Sequence, residues 1–305
     1  MRLALIRHMI PSIQIHFLER RSMSEILRTD VTRRDFLRVT SAGALAIGLG
    51  SSTRLFAADA DPYLGFKMGL QSYSLRAFKV EKALETTKAL GLKFWEAFPG
   101  HLPSTTVPGT IAEQKKLLAS AGVTMLAYGV LGFDTNETKA RQFFDYAKAI
   151  GLETLSANPN KDKGTFDLLD KLVAEYGINI AIHNHGPGAT YDKIKDVVDI
   201  VKGRHPRIGA CVDCGHYLRS KENPVDAIEQ LKGRVFGVHL KDVKNATQFT
   251  ILGEGDLDVK GCLKALHTQK YQHCLAIEYE ENEKNPVADL EVCLKNVREA
   301  CAKIA

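Results

Sequence analysis

Residues 178–216 read INIAIHNHGPGATYDKIKDVVDIVKGRHPRIGACVDCGH. An apolar run ends in His183-Asn184-His185, a helix-period segment follows at 191–201, and a second apolar run ends in Asp213-Cys214-Gly215-His216. The pattern is strand, helix, strand, with ligand-type side chains where each strand stops. It recurs further along. Val238-His239-Leu240-Lys241 closes a run at 235–240, and Ile277-Glu278-Tyr279-Glu280 closes one at 274–279. His183 to Asp213, Asp213 to His239 and His239 to Glu278 are 30, 26 and 39 residues apart. Those are lengths of βα units, so four successive units each end on a polar cluster.

Working outward, the alternation fills the rest of the chain. Strands are predicted at 66–73, 93–97, 123–129, 154–157, 179–183, 208–212, 235–240 and 274–279. Helices are predicted at 80–90, 110–121, 135–150, 165–176, 191–201, 224–231, 259–269 and 286–303. Gly91, Gly122, Gly151 and Gly177 each follow a helix, where a left-handed C-cap wants glycine. Asn223-Pro224 and Asn285-Pro286 are N-cap and first-turn proline signals. Eight βα units predict a single-domain (β/α)8 TIM barrel over 61–305. An open doubly wound sheet would offer a Gly-rich phosphate loop after its first strand. Here that strand runs into Gln71-Ser72-Tyr73-Ser74-Leu75.

The first sixty residues read differently. They carry nine Lys/Arg against five Asp/Glu, while the remainder holds 32 against 31. The basicity therefore belongs to the leader, and a near-neutral body argues against a nucleic-acid partner. Thr32-Arg33-Arg34-Asp35-Phe36-Leu37-Arg38 precedes an apolar stretch, Val39 to Leu49, too short for a membrane span. Ala58-Asp59-Ala60 is a cleavage candidate. The leader resembles a twin-arginine signal. It predicts the Tat export machinery as a partner and the periplasm as the destination. Six cysteines, Cys211, Cys214, Cys262, Cys274, Cys293 and Cys301, are compatible with export. A body of this size does not need disulfides. Cys211 and Cys214, three apart, face opposite sides of a strand and read as neither a redox nor a zinc pair.

In a barrel the chemistry collects at the C-terminal ends of the strands. His183 (or His185), Asp213, His239 and Glu278 would converge there. Imidazoles mixed with carboxylates suit Mn, Co, Zn or Fe as a divalent metal ion, and suit Mg poorly. Such an ion, with coordination positions left open, supplies Lewis acidity for removing a proton next to a carbonyl. Each residue also has a plain structural reading. Asp213 could cap a turn, and Glu280–Glu283 could be a solvated acidic loop.

Four segments, Ala181-Ile182-His183-Asn184-His185-Gly186, Val212-Asp213-Cys214-Gly215-His216, Val238-His239-Leu240-Lys241-Asp242 and Ile277-Glu278-Tyr279-Glu280, resemble the sugar phosphate isomerase/epimerase family with its xylose isomerase-like TIM barrel. Gly253-Glu254-Gly255-Asp256 resembles the loop before that family's last helix. The resemblance implies His183, Asp213, His239 and Glu278 as metal ligands, His216 and Lys241 on the substrate, and Glu96 as an acidic residue touching substrate. It implies a small-molecule carbohydrate as the partner and leaves a homo-oligomer open. The chain departs from the pattern at His183, where many epimerases of the family carry Glu as half of a two-glutamate proton shuttle. The site becomes neutral rather than negative with a divalent ion, and acid–base duty falls to Lys241, His185, Glu96 or Glu280.

The expected activity is a metal-dependent carbohydrate isomerase or epimerase, acting by α-proton abstraction on a non-phosphorylated sugar. The alternative is a keto-sugar or 3-keto-glycoside lyase or hydratase at the same site. A DNA-repair endonuclease would need more zinc ligands and a basic groove. An exported sugar-binding barrel without chemistry would not need Asp213, His239 and Glu278 together.

Overall fold

The computed structural model describes residues 61–304. The leader, its twin-arginine segment and the cleavage candidate lie outside the described residues. Eight parallel strands close a barrel: β1 (Lys67–Gln71), β2 (Phe94–Ala97), β3 (Thr124–Phe133), β4 (Thr154–Pro159), β5 (Asn179–His183), β6 (Ile208–Asp213), β7 (Val235–Leu240) and, after a hairpin, β10 (Cys274–Ile277). Each strand pairs with its neighbour in the chain, and β10 pairs with both β7 and β1. The hairpin between β7 and β10 is antiparallel, β8 (Asp242–Lys244) with β9 (Gln248–Thr250).

β5, β6, β7 and β10 are buried at every position. That is why they appear in the sequence as unbroken apolar runs: barrel residues face packed side chains inside and the helix layer outside. The helices are α1 (Val80–Ala89), α2 (Pro108–Ala121), α3 (Glu137–Ile150), α4 (Lys163–Tyr176), α5 (Ile194–Val201), α6 (Cys214–Arg219), α7 (Pro224–Gln230), α8 (Val259–Thr268) and α9 (Val287–Ala302). None of the described helices is long and apolar enough to cross a membrane. Gly122, Gly151 and Gly177 end α2, α3 and α4 in the left-handed region, at φ 69°, 95° and 72°. Asn223 caps α7 through Val225 N–H.

The structure differs from the sequence expectation at element ends. β1 stops at Gln71 because residues Ser72–Leu75 turn into a 3-10 helix. β3 runs past Gly129 to Phe133. At α9, Pro286 rather than Asn285 occupies the cap position, and Asn285 N–H instead closes a turn on Asn282. The short helix α6 and the β8–β9 hairpin carry no clear periodicity in the sequence and were not anticipated.

Register brings the polar clusters to one level. His183 is paired with Cys211, Asp213 with His239, and Leu240 with Ile277, immediately before Glu278.

Candidate active site

Asp213 ends β6 and begins α6. Its Oδ1 accepts the His216 N–H at 2.8 Å, capping the helix. Its Oδ2, fully buried, faces the barrel mouth. The capping and functional readings of this residue thus hold together, on different oxygens. Asn184 secures the position: its Oδ1 accepts Asp213 N–H at 2.8 Å and its Nδ2 donates to Asp213 C=O at 3.0 Å. That two-bond clamp joins the end of β5 to the end of β6.

His183, Asp213, His239 and Glu278 each offer one donor atom within 4.8 Å of the others. His183 Nε2 lies 3.4 Å from Asp213 Oδ2, His239 Nδ1 lies 3.5 Å from it, and His239 Nδ1 lies 3.1 Å from Glu278 Oε2. A cation about 2.1 Å from each donor sets neighbouring donors about 3.0–3.4 Å apart, in octahedral or tetrahedral geometry. Asp213 Oδ2, His239 Nδ1 and Glu278 Oε2 are buried without a well-aligned hydrogen bond. Buried polar atoms are rarely left so. Spacing, donor chemistry and the unpartnered His239 Nδ1 fit a divalent metal ion, and the Lys241 ammonium lies within 3.1 Å of both carboxylate oxygens.

Lys241 follows His239 by two residues and enters the same space. Its Nζ is 3.1 Å from Asp213 Oδ2, 2.8 Å from Glu278 Oε2 and 2.6 Å from Glu280 Oε1. Gly215 makes room for it, since a Cβ there would sit 2.7 Å from Lys241 Cγ. Burial alone would lower the ammonium's pKa, but the Asp213, Glu278 and Glu280 charges overcome this and push it up. Lys241 is therefore held protonated, on the acid side of the acid–base groups named from the sequence. Burial likewise opposes ionisation of the two carboxyls. The Lys241 ammonium nevertheless holds Asp213 well below its ordinary value, and Lys241 and His239 bring Glu278 to about 2.

His216 is driven down to about 3, chiefly by burial, and is a neutral ring. Arg219, one helical turn on, lies 3.1 Å from its Nδ1. A guanidinium can only donate, so Nδ1 accepts and the ring proton sits on Nε2, facing Lys241 at 3.4 Å. His185 packs on His216 with ring centroids 3.8 Å apart and planes tilted by 36°, and burial lowers its pKa as well. It lies beyond the end of β5 and does not join the four-donor cluster, so His183 rather than His185 is the imidazole brought to Asp213.

Glu96 departs from expectation. It is fully buried beneath the cluster, hydrogen-bonded to Gln71 and 3.0 Å from His239 Nε2, and it does not line the cavity. Its side chain is buried in the barrel beside His239.

The cavity above the cluster has a volume of about 800 Å³. Its two walls differ. The ends of β1 to β4 contribute Gln71, Tyr73, Phe98, Val130 and Asn158, while the ends of β5, β6, β7 and β10 contribute His183, His185, His216, Lys241, Glu278 and Glu280. Every imidazole, ammonium and carboxylate lining the cavity is on the second wall. Phe249, on the hairpin, lies over Lys241 and Arg219 at 5.4 and 5.3 Å.

A family model described as xylose isomerase-like TIM barrel matches residues 84–297. The chain belongs to the xylose isomerase-like TIM barrel family. Among curated relatives, an inosose dehydratase of Clostridium botulinum is 29% identical over 37% of this chain and 44% of its own length. An inosose dehydratase of Clostridium perfringens is 23% identical over 67% of this chain and 73% of its own. The chain thus spans less than half of the first relative and nearly three quarters of the second. A solved structure from Parabacteroides distasonis is 26% identical with TM-score 0.61, covering 77% of this chain and 99% of that one. The zinc-bound structure of the IOLI protein superposes with TM-score 0.63 at 17% identity, covering 79% and 99%, a likeness of fold.

In this xylose isomerase-like barrel the motif residues acquire reasons. Asp242, next to Lys241, accepts N–H from Val243, Gly253, Gly255 and Leu257 at 2.8–3.0 Å. The loop of Gly253 and Gly255 wraps this carboxylate, and a Cβ at Gly255 would lie 2.3 Å from Asp242 Oδ1. Lys161, in the loop after β4, and Lys163, the first residue of α4, are engaged by Asp196 and Asp167. Sequence reading missed Asn184, Arg219 and Phe249. Asn184 was visible inside His183-Asn184-His185, and Arg219 stands at helical spacing from His216. Phe249 gives no local signal.

Proposed function

We propose that the protein is a metal-dependent lyase that removes water from a non-phosphorylated keto-sugar or related polyhydroxy ketone. The observation that carries this is the one-sided cavity. Epimerisation through two acid–base groups needs one on each face of the substrate, whereas the wall from β1 to β4 supplies an amide, aromatic rings, a valine and an asparagine. Acid and base on one wall suit elimination from one face. The inosose dehydratases among the relatives support dehydration over the isomerase and epimerase reading.

His183, Asp213, His239 and Glu278 would hold the ion, and their mix of imidazole and carboxylate favours Mn, Co, Zn or Fe. When bound, the ion supplies Lewis acidity to the substrate ketone. His185, on the cavity rim, accepts the proton next to the carbonyl. Its electron pair becomes the new C–C π bond as the neighbouring C–O bond breaks. Lys241 donates a proton to the departing hydroxyl, which leaves as water, and Glu280 orients the ammonium. Lys241 is the one Lys or Arg among the cavity-lining residues, and three carboxylates engage it. Among the described residues lining the cavity no Lys or Arg is left free for a phosphate, which favours an uncharged substrate.

The test is incubation of metal-replete protein with inosose, free ketoses and 3-keto-glycosides in D₂O, followed by NMR. Dehydrated product is expected. Stereoisomers that retain all their oxygens would overturn the lyase reading, and turnover confined to phosphorylated sugars would overturn the substrate class. The twin-arginine leader supports export to the periplasm. An Arg33→Lys/Arg34→Lys chain should then stay in the cytoplasmic fraction, and unchanged periplasmic recovery would count against export.

A further inference from the structure

We infer that Glu96 is a positioning residue that fixes the tautomer of His239 and tunes its strength as a metal ligand. The inference rests on the reading that a metal ion occupies the His183, Asp213, His239 and Glu278 cluster. His239 turns Nδ1 toward Asp213 Oδ2 and Glu278 Oε2. To ligate through Nδ1 the ring must carry its proton on Nε2, and that proton needs an acceptor. Glu96 Oε2 lies 3.0 Å from Nε2. The other neighbour, Cys211 Sγ at 3.4 Å, is a weak acceptor.

The carboxylate comes from far around the barrel. β2 is separated from β7 by β1 and β10, so Glu96 reaches across the interior rather than from an adjacent strand. It is itself oriented. Gln71 Oε1 accepts Tyr73 N–H at 3.1 Å, which leaves Gln71 Nε2 to donate to Glu96 Oε1 at 3.0 Å. Hydrogen bonds therefore run from the β1 turn through Gln71 to Glu96 Oε1, and Glu96 Oε2, buried without an aligned hydrogen bond, closes the distance to His239 Nε2 at 3.0 Å. A carboxylate on the far nitrogen of a ligating imidazole raises its basicity and holds its plane.

The measurement is Co²⁺ affinity of chelator-stripped protein, by competition with a chromophoric chelator, together with the visible Co²⁺ spectrum. Glu96→Gln preserves shape and should weaken Co²⁺ binding about 10–100-fold and shift the spectrum. It leaves the Gln71 amide facing another amide, so a second variant is needed. Gln71→Glu/Glu96→Gln restores the hydrogen-bond pattern but leaves a neutral amide against His239. Weak binding in both, with melting of the double variant close to wild type, supports the inference. Wild-type affinity in Glu96→Gln would overturn it, and so would full recovery in the double variant, because Glu96 would then be a spacer. If wild-type protein bound no Co²⁺, or if Asp213→Asn left binding unchanged, the metal reading itself would fall.

Discussion

Asp213 shows how one side chain answers two demands. Oδ1 caps α6 and Oδ2 faces the metal cluster. Asparagine caps helices about as well as aspartate, but its amide nitrogen cannot ligate a cation. Asp213→Asn should therefore abolish metal retention after dialysis while α6 persists. Asp213→Ala should lose both, with a further stability cost of about 1 kcal/mol for the missing cap. Metal content and urea unfolding of the two variants check this, and equal stability would argue against the capping role. Lys241 is legible as a polar strand-end residue, but its protonation is not. Only the approach of Asp213, Glu278 and Glu280 makes this acid–base candidate a held cation.

At the scale of elements, the turn after β1 and the loop after β2 are tied by His101. Phe98 N–H donates to Ser72 Oγ at 2.8 Å, Ser72 Oγ is 3.0 Å from His101 Nδ1, and His101 Nε2 is 3.1 Å from Phe78 C=O. A carbonyl only accepts, so Nε2 carries the proton and Nδ1 accepts from the serine. The network requires the neutral ring, and burial lowers its pKa below 6.5. Above pH 6.5 the ring is neutral folded or unfolded and contributes no slope. As pH falls below 6.5 the unfolded chain binds the proton first, and stability is lost until the folded pKa is passed. His101→Gln should flatten that part of the stability–pH curve, measured by urea unfolding between pH 7 and 5. An unchanged slope would remove His101 from the account. Phe98 lines the cavity, so this network also sets part of the neutral wall.

At the scale of the molecule, the barrel brings buried donors together from four strands. In the unfolded chain those donors are 30, 26 and 39 residues apart, so the native state should bind the ion and the unfolded state only weakly. Binding to the native state alone stabilises by about 2.7 kcal/mol at a hundredfold excess over Kd. Added Zn²⁺ or Co²⁺ should therefore raise the melting temperature of the stripped protein in a concentration-dependent way, and a chelator should reverse it. A melting temperature indifferent to both would contradict a metal ion at this cluster.

The sequence by itself determined the alternation of eight strands and eight helices and the position of each polar cluster. Those follow from local periodicity and from glycine and proline chemistry, which act within one unit. It also marked His183 as an unusual donor. Only the tertiary structure decided which wall each group occupies, that His183 joins the cluster while His185 packs on His216, and that Glu96 lies buried beside His239. It alone brought Phe249 over the site and Asp242 into the loop of Gly253 and Gly255. These depend on contacts between units, on register and on barrel closure, and strand periodicity carries no information about the far side of the barrel.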